Sequence, residues 1–196
     1  MMLTHIHDKD FIKKLNTHLK RGGVIAFPTD TVWGLGALPN DVGANALYEI
    51  KHRPRNKRLI IMSDSIDHIR PHMTDFPKIA FDMAARYWPG ALTIGRDGGS
   101  NDNDWMGGVR VPEYGPFCDL CRVVDGHCLA TTSANLSDCP TLTCAADIQK
   151  TFPDVLVIDN ATAPMGGCPS TVVVTHNDGS WDVVRDGAIR IYSLAD

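Results

Sequence analysis

The stretch Val24-Ile25-Ala26-Phe27-Pro28-Thr29-Asp30-Thr31-Val32-Trp33-Gly34-Leu35-Gly36 decides the fold class. Its first four residues form a continuous apolar run, the pattern of a strand buried on both faces. Pro28 has no N–H for a sheet ladder and ends that strand. Thr29, Asp30 and Thr31 then read as a polar turn. In open α/β sheets, ligands sit where apolar strands run out into such turns. Gly34-Leu35-Gly36 is too short to count as a phosphate loop.

Working outward, residues 8–21 place Phe11, Ile12, Leu15 and Leu19 on one helical face, and Gly22-Gly23 stops that helix. Further helices are predicted over 44–52, 77–88 and 117–124, and from a Thr143 cap to 152. Strands are predicted at 59–62, 91–94, 109–111, 128–131 and 155–158. A hairpin pairs 171–175 with 181–184 through Asn177-Asp178-Gly179. Thr132-Ser133-Ala134-Asn135 reads as a polar turn and 98–104 as a polar loop. Strands and helices alternate and a hairpin follows, which predicts an open, twisted, mixed α/β sheet flanked by helices, in one domain over 1–196.

The composition excludes several classes. No run approaches the roughly 18 apolar residues of a membrane span, and the first residues lack a basic-then-apolar leader, so a cytoplasmic location is expected. The formal net charge is −4, but Lys51, Arg53, Arg55, Lys57 and Arg58 stand together with no acid among them. The chain is thus acidic with one concentrated cationic segment. Charge counting alone reads such a run as a solvated loop. Cys118 and Cys121 form a single C-x-x-C, whereas a zinc site wants a second pair at similar spacing, so reduced thiols and no metal are expected. There is no G-x-x-x-x-G-K-[ST], no G-x-G-x-x-G and no G-x-S-x-G around Ser133.

What remains are polar clusters at strand ends: the turn after Phe27, Lys51-His52-Arg53, Arg110-Val111-Pro112, Thr131 to Asn135, and Ser170-Thr171. Taken singly, these are turn formers, caps and surface charges. Taken together and in this order, Pro28 to Leu35, Lys51-His52-Arg53, Arg110-Val111-Pro112, Ser133-Ala134-Asn135, Ser170-Thr171-Val172 and Arg185 resemble the signature of the YrdC/TsaC family of threonylcarbamoyl-adenylate synthases.

The resemblance implies a YrdC-like sheet with a concave, electropositive face. It implies formation of threonylcarbamoyl-AMP and pyrophosphate from L-threonine, bicarbonate or CO2, and ATP with Mg2+. The product would pass to a threonylcarbamoyl-transferase complex that modifies tRNA. By position, Thr31, Arg110, Ser133 and Ser170 would meet threonine. Lys51, Arg53, Lys57, Thr131, Asn135, Thr141 and Arg185 would meet the nucleotide, with Lys51, Arg53, Ser133 and Asn135 at the reacting groups. Clustered cations suit this chemistry, because two anions must approach and negative charge builds on the leaving pyrophosphate. The pattern departs from the family at Trp33, at Met62 (His in many members), at Met106, at Asp138 (usually Gly) and at Arg58. A tRNA- or dsRNA-binding module of the same fold without synthase activity is the alternative.

Overall fold

The computed structural model describes residues 6–97, 105–159 and 166–192. The predicted loop at 98–104 lies outside them. Among the described residues the strands are β1 (Ile25–Phe27), β2 (Gly34–Ala37), β3 (Leu59–Ser63), β4 (Leu92–Arg96), β5 (Met106–Arg110), β6 (Cys128–Ser133), β7 (Leu156–Val157), β8 (Thr171–Thr175) and β9 (Trp181–Arg185). The helices are α1 (Lys9–Lys20), α2 (Asp41–Lys51), α3 (Ile66–Ile69), α4 (Lys78–Tyr87), α5 (Gly115–Val123) and α6 (Ala145–Thr151). The strands form one sheet in the order β7-β1-β2-β6-β3-β5-β4-β8-β9. β1/β7, β3/β5 and β4/β8 run parallel and the other pairs antiparallel, which is the mixed α/β sheet read from the sequence.

Alternation along β1 divides the core. Val24 and Ala26 join a cluster with residues of α2, α4 and α6 on one face. Ile25 and Phe27 join Phe11, Leu15 and Leu19 of α1 and Phe117, Leu120 and Cys121 of α5 on the other. The Phe27 and Phe117 ring centroids lie 5.1 Å apart. The second face is covered at its β1 end and open over β3, β5, β4 and β8.

Three local readings change. β2 went unread because glycine is poor in strands. A Cβ on Gly34 or Gly36 would come within 2.9 or 2.6 Å of the Phe27 ring, so the neighbouring strand's aromatic side chain fills the space that β2 leaves empty. Thr132 and Ser133 belong to β6, paired with Leu35 and Gly34, because β2 supplies their ladder; the turn begins two residues later, at Ala134. Thr143 does not cap α6, whose N-cap is Cys144, with its thiol donating to the Asp147 carboxylate at 3.1 Å. All six cysteines are free thiols, and Cys121 is buried in the core beneath α5.

Candidate functional site

The open half of the sheet face holds a cavity of about 560 Å³. Its walls include Thr31, Arg53, Arg110, Thr131, Ser133, Thr141, Ser170 and Arg185 from the sequence-derived set. Arg58, Arg96, Trp33, Ile60, Met62, Thr93, Val172, Val174 and Val184 line it as well. Among the described lining residues five are arginines and none is a carboxylate. Lys51, Asn135 and Lys57 do not line it, and neither does Met106.

Arg110 ends β5 and is 3% exposed. Its Nε donates to Gly90 O at 2.9 Å, its Nη1 to Thr31 Oγ1 at 3.0 Å, and its Nη2 to both Asp30 oxygens at 2.6 and 2.7 Å. One Nη1 hydrogen is left for a ligand. Burial lowers the guanidinium pKa and the Asp30 carboxylate opposes that shift. The 28–31 turn is built to hold this arginine. Thr29 Oγ1 donates to Val32 O at 2.7 Å and accepts from the Thr31 and Val32 amides. The Thr31 hydroxyl therefore donates to Thr29 Oγ1 and accepts from Arg110. Gly90, just after α4, supplies the carbonyl that orients Nε.

Arg185 reaches the cavity through a β-bulge. Val172 pairs with Arg185 but Val173 with Val183, so Val184 is the extra residue and the side chain after it is re-aimed. Its Nε and Nη2 donate to Ser170 O at 3.1 and 2.9 Å, and Nη2 also donates to Ser170 Oγ. Ser170 Oγ in turn meets Thr93 Oγ1 at 2.8 Å. A Cβ on Gly187 would stand 2.4 Å from Pro169 O and the Ser170–Thr171 peptide, so only glycine lets the chain after β9 lie against this loop.

The basic run splits by direction. His52 at φ 49° caps α2 in the left-handed region and turns the chain back. Arg53 Nε and Nη2 donate to Lys57 O and Arg58 O at 2.7 and 2.8 Å, which pins the loop while the guanidinium faces the cavity. Arg55 turns away, lying 4.5 Å over the Tyr48 ring and donating to Asn45 Oδ1. Lys57 is held by the Asp138 carboxylate. That carboxylate, at φ 64° in the turn after Asn135, is pushed below its usual range by Lys57 and then by Arg53. Lys51 is 0% exposed, and burial followed by Arg53 lowers its pKa to about 7. Its Nζ donates to Ser133 O at 2.6 Å, to Asn135 O, and to Asn135 Oδ1 at 3.0 Å.

Burial lowers the pKa of both Arg53 and Arg110, Arg185 adds a smaller like-charge push, and all three cations line the one cavity. Like charges gathered in this way, with no carboxylate among the described lining residues, repel one another, and a bound polyanion would relieve that repulsion. The sequence pattern missed Arg96, which lies on β4 and pairs loosely with Asp75 at 3.5 Å, and Asp30, which sat in plain view in the first motif.

Fold and site thus define an open α/β sheet protein with an arginine-walled cavity. Its likeness to known proteins is specific. The Sua5/YciO/YrdC family model, described as "Telomere recombination", matches residues 17–187, and the chain belongs to that family. It is 33% identical over 179 residues to a threonylcarbamoyl-AMP synthase of Idiomarina loihiensis, covering 85% of this chain and 92% of the relative. The corresponding enzyme of Pseudoalteromonas translucida is also 33% identical, covering 84% and 93%. Sua5 of P. abyssi in complex with L-threonine superposes with a TM-score of 0.78 at 26% identity, over 90% of this chain and 54% of that one. The chain thus spans about half of that Sua5. E. coli YciO, at 23% identity and a TM-score of 0.72 over 91% and 89%, shares the fold.

Proposed function

We propose that this chain is an L-threonylcarbamoyl-AMP synthase. The observation that carries the reading is the convergence of Arg53, Arg110 and Arg185 on one cavity with no carboxylate among its described lining residues. The relatives that bear this enzyme's name over most of their length support it.

In the reaction, the threonine amine adds to CO2 drawn from bicarbonate and loses a proton. The resulting N-carboxylate attacks the α-phosphorus of ATP, and the bond to pyrophosphate breaks. The free Nη1 hydrogen of Arg110, fixed by Thr31, Asp30 and Gly90, would take the threonine carboxylate. Ser170 would bound the threonine from the β8 side. Arg53 and Arg185 would neutralise the phosphates where charge builds, with Thr131 and Thr141 offering hydroxyls to the nucleotide. Lys57 would join them after leaving Asp138. No covalent nucleophile is required. Ser133 Oγ donates to Asn135 Oδ1 at 2.5 Å, so it turns lone pairs to the cavity and suits the substrate N–H.

Among the described residues no group of three His, Cys, Asp or Glu could hold a metal ion, so magnesium would arrive on the triphosphate, ligated by phosphate oxygens and water. No helix among these residues is long and apolar enough to cross a membrane. A cytoplasmic site of action follows from the need to hand an unstable adenylate to a tRNA-modifying transferase. Incubation with 13C-bicarbonate, L-threonine and ATP tests the proposal: labelled threonylcarbamoyl-AMP detected by mass spectrometry supports it. Its absence, beside salt-sensitive RNA binding, would favour the binding-module alternative.

A further inference from the structure

The geometry points to Lys51 as a positioning residue that acts through Asn135 and Ser133, rather than as a ligand of the nucleotide. Its ammonium has three hydrogens and three protein acceptors: Ser133 O, Asn135 O and Asn135 Oδ1. It is wholly enclosed, and its own carbonyl accepts from the Ser137 amide at 3.0 Å, so α2 grips the turn at both ends of one residue.

The consequence travels in one direction. Asn135 Nδ2 donates to Leu136 O at 2.9 Å and Cys139 O at 2.6 Å, which fixes the amide so that Oδ1 points back to Lys51. Oδ1 also accepts the Ser133 hydroxyl hydrogen. Ser133 Oγ, on the cavity wall, is therefore held as an acceptor. Without the cation, Oδ1 loses its charge-assisted partner, the amide is held by its two Nδ2 bonds alone, and the serine hydroxyl can swing and donate instead. The buried charge thus decides which hydrogen-bonding role the cavity serine plays.

The test rests on the synthase reading for its turnover readout only. Lys51→Met, Lys51→Arg, Asn135→Ala and the Lys51→Met/Asn135→Ala pair are compared with wild type in the full chain. Lys51→Met should lower kcat about a hundredfold, the order of a misplaced reacting group, and leave ATP affinity by calorimetry within about twofold. The double variant should be no worse than Lys51→Met alone, and Lys51→Arg should recover part of kcat. Independently of turnover, Lys51→Met should speed hydrogen exchange at the Ala134, Asn135 and Ser137 amides while the amides of α1 stay protected. Weakened ATP binding with additive effects in the double variant would make Lys51 a phosphate ligand and overturn the inference. Unchanged kcat or unchanged exchange at that turn would also overturn it. If wild type makes no product, the synthase reading fails, and the exchange result alone upholds or overturns the role of Lys51.

Discussion

The half of the sheet face under α1 and α5 and the half left open beside it share strands and differ in everything above them. On the covered half, Ile25, Phe27 and Leu129 meet Leu15, Phe117 and Leu120, and burial stabilises the fold. On the open half the same face carries Arg110, Thr93, Ser170 and Arg185 around an apolar floor of Ile60, Val172 and Val174. Met62 belongs to both, packed into the covered cluster and facing the cavity. One face thus separates stability from binding by where two helices stop. Each half can be broken with little damage to the other, except at Arg110, whose buried pair with Asp30 braces the fold at the cavity wall itself.

Arg110→Ala should therefore have the largest effect. It strands Asp30, so a loss of about 3–5 kcal/mol in denaturant unfolding is expected together with loss of threonine-dependent turnover. Phe27→Ala sharpens the contrast from the covered side, costing about 3–5 kcal/mol while turnover per folded molecule stays near wild type. Arg185→Ala does the converse: about a hundredfold less turnover, with unfolding changed by about 1 kcal/mol or less.

A pH scan separates the halves more gently. Lys51 has a pKa of about 7 in the fold against an ordinary 10.5, with burial and then Arg53 pushing it down and Cys139 opposing. Between those values the unfolded chain holds the extra proton, so the contribution of Lys51 to stability rises with pH across that window. Turnover should move the other way, because the lost proton removes one of three donors to the 133–135 turn. Lys51→Arg, always charged, should flatten both trends relative to wild type. The smallest effect concerns the rim. Asp138→Asn frees Lys57, and ATP affinity by calorimetry should tighten about two- to fivefold, the scale of an exposed ion pair.

Amphipathic α1 was legible because its apolar residues repeat at helical spacing, and the β8–β9 hairpin because its turn residues stand between two apolar runs. β2 was not, since Gly34 and Gly36 carry no side chain to pattern and the ring that fills their place comes from β1. Family motifs singled out Thr31, Arg53, Arg110, Thr131, Ser133, Thr141, Ser170 and Arg185 of the cavity wall, passed over Thr93 and Arg96, and added Lys51, Lys57 and Asn135, which do not line it. They could not show direction. The five charges from Lys51 to Arg58 are equivalent in sequence, yet one is sealed under a turn, two face the cavity, one stacks on Tyr48 and one pairs across the rim. His52 in the left-handed region and the two carbonyls gripped by Arg53 set those directions, and both arise from the folded backbone. The bulge that aims Arg185 is likewise a property of pairing with β8.

The central claim, that the arginine-walled cavity joins threonine, carbon dioxide and ATP, is tested most directly by pyrophosphate release from ATP and bicarbonate with and without L-threonine. Release that requires threonine in wild type and vanishes in Arg53→Ala is expected. Equal release with and without threonine, or none in either, would contradict it.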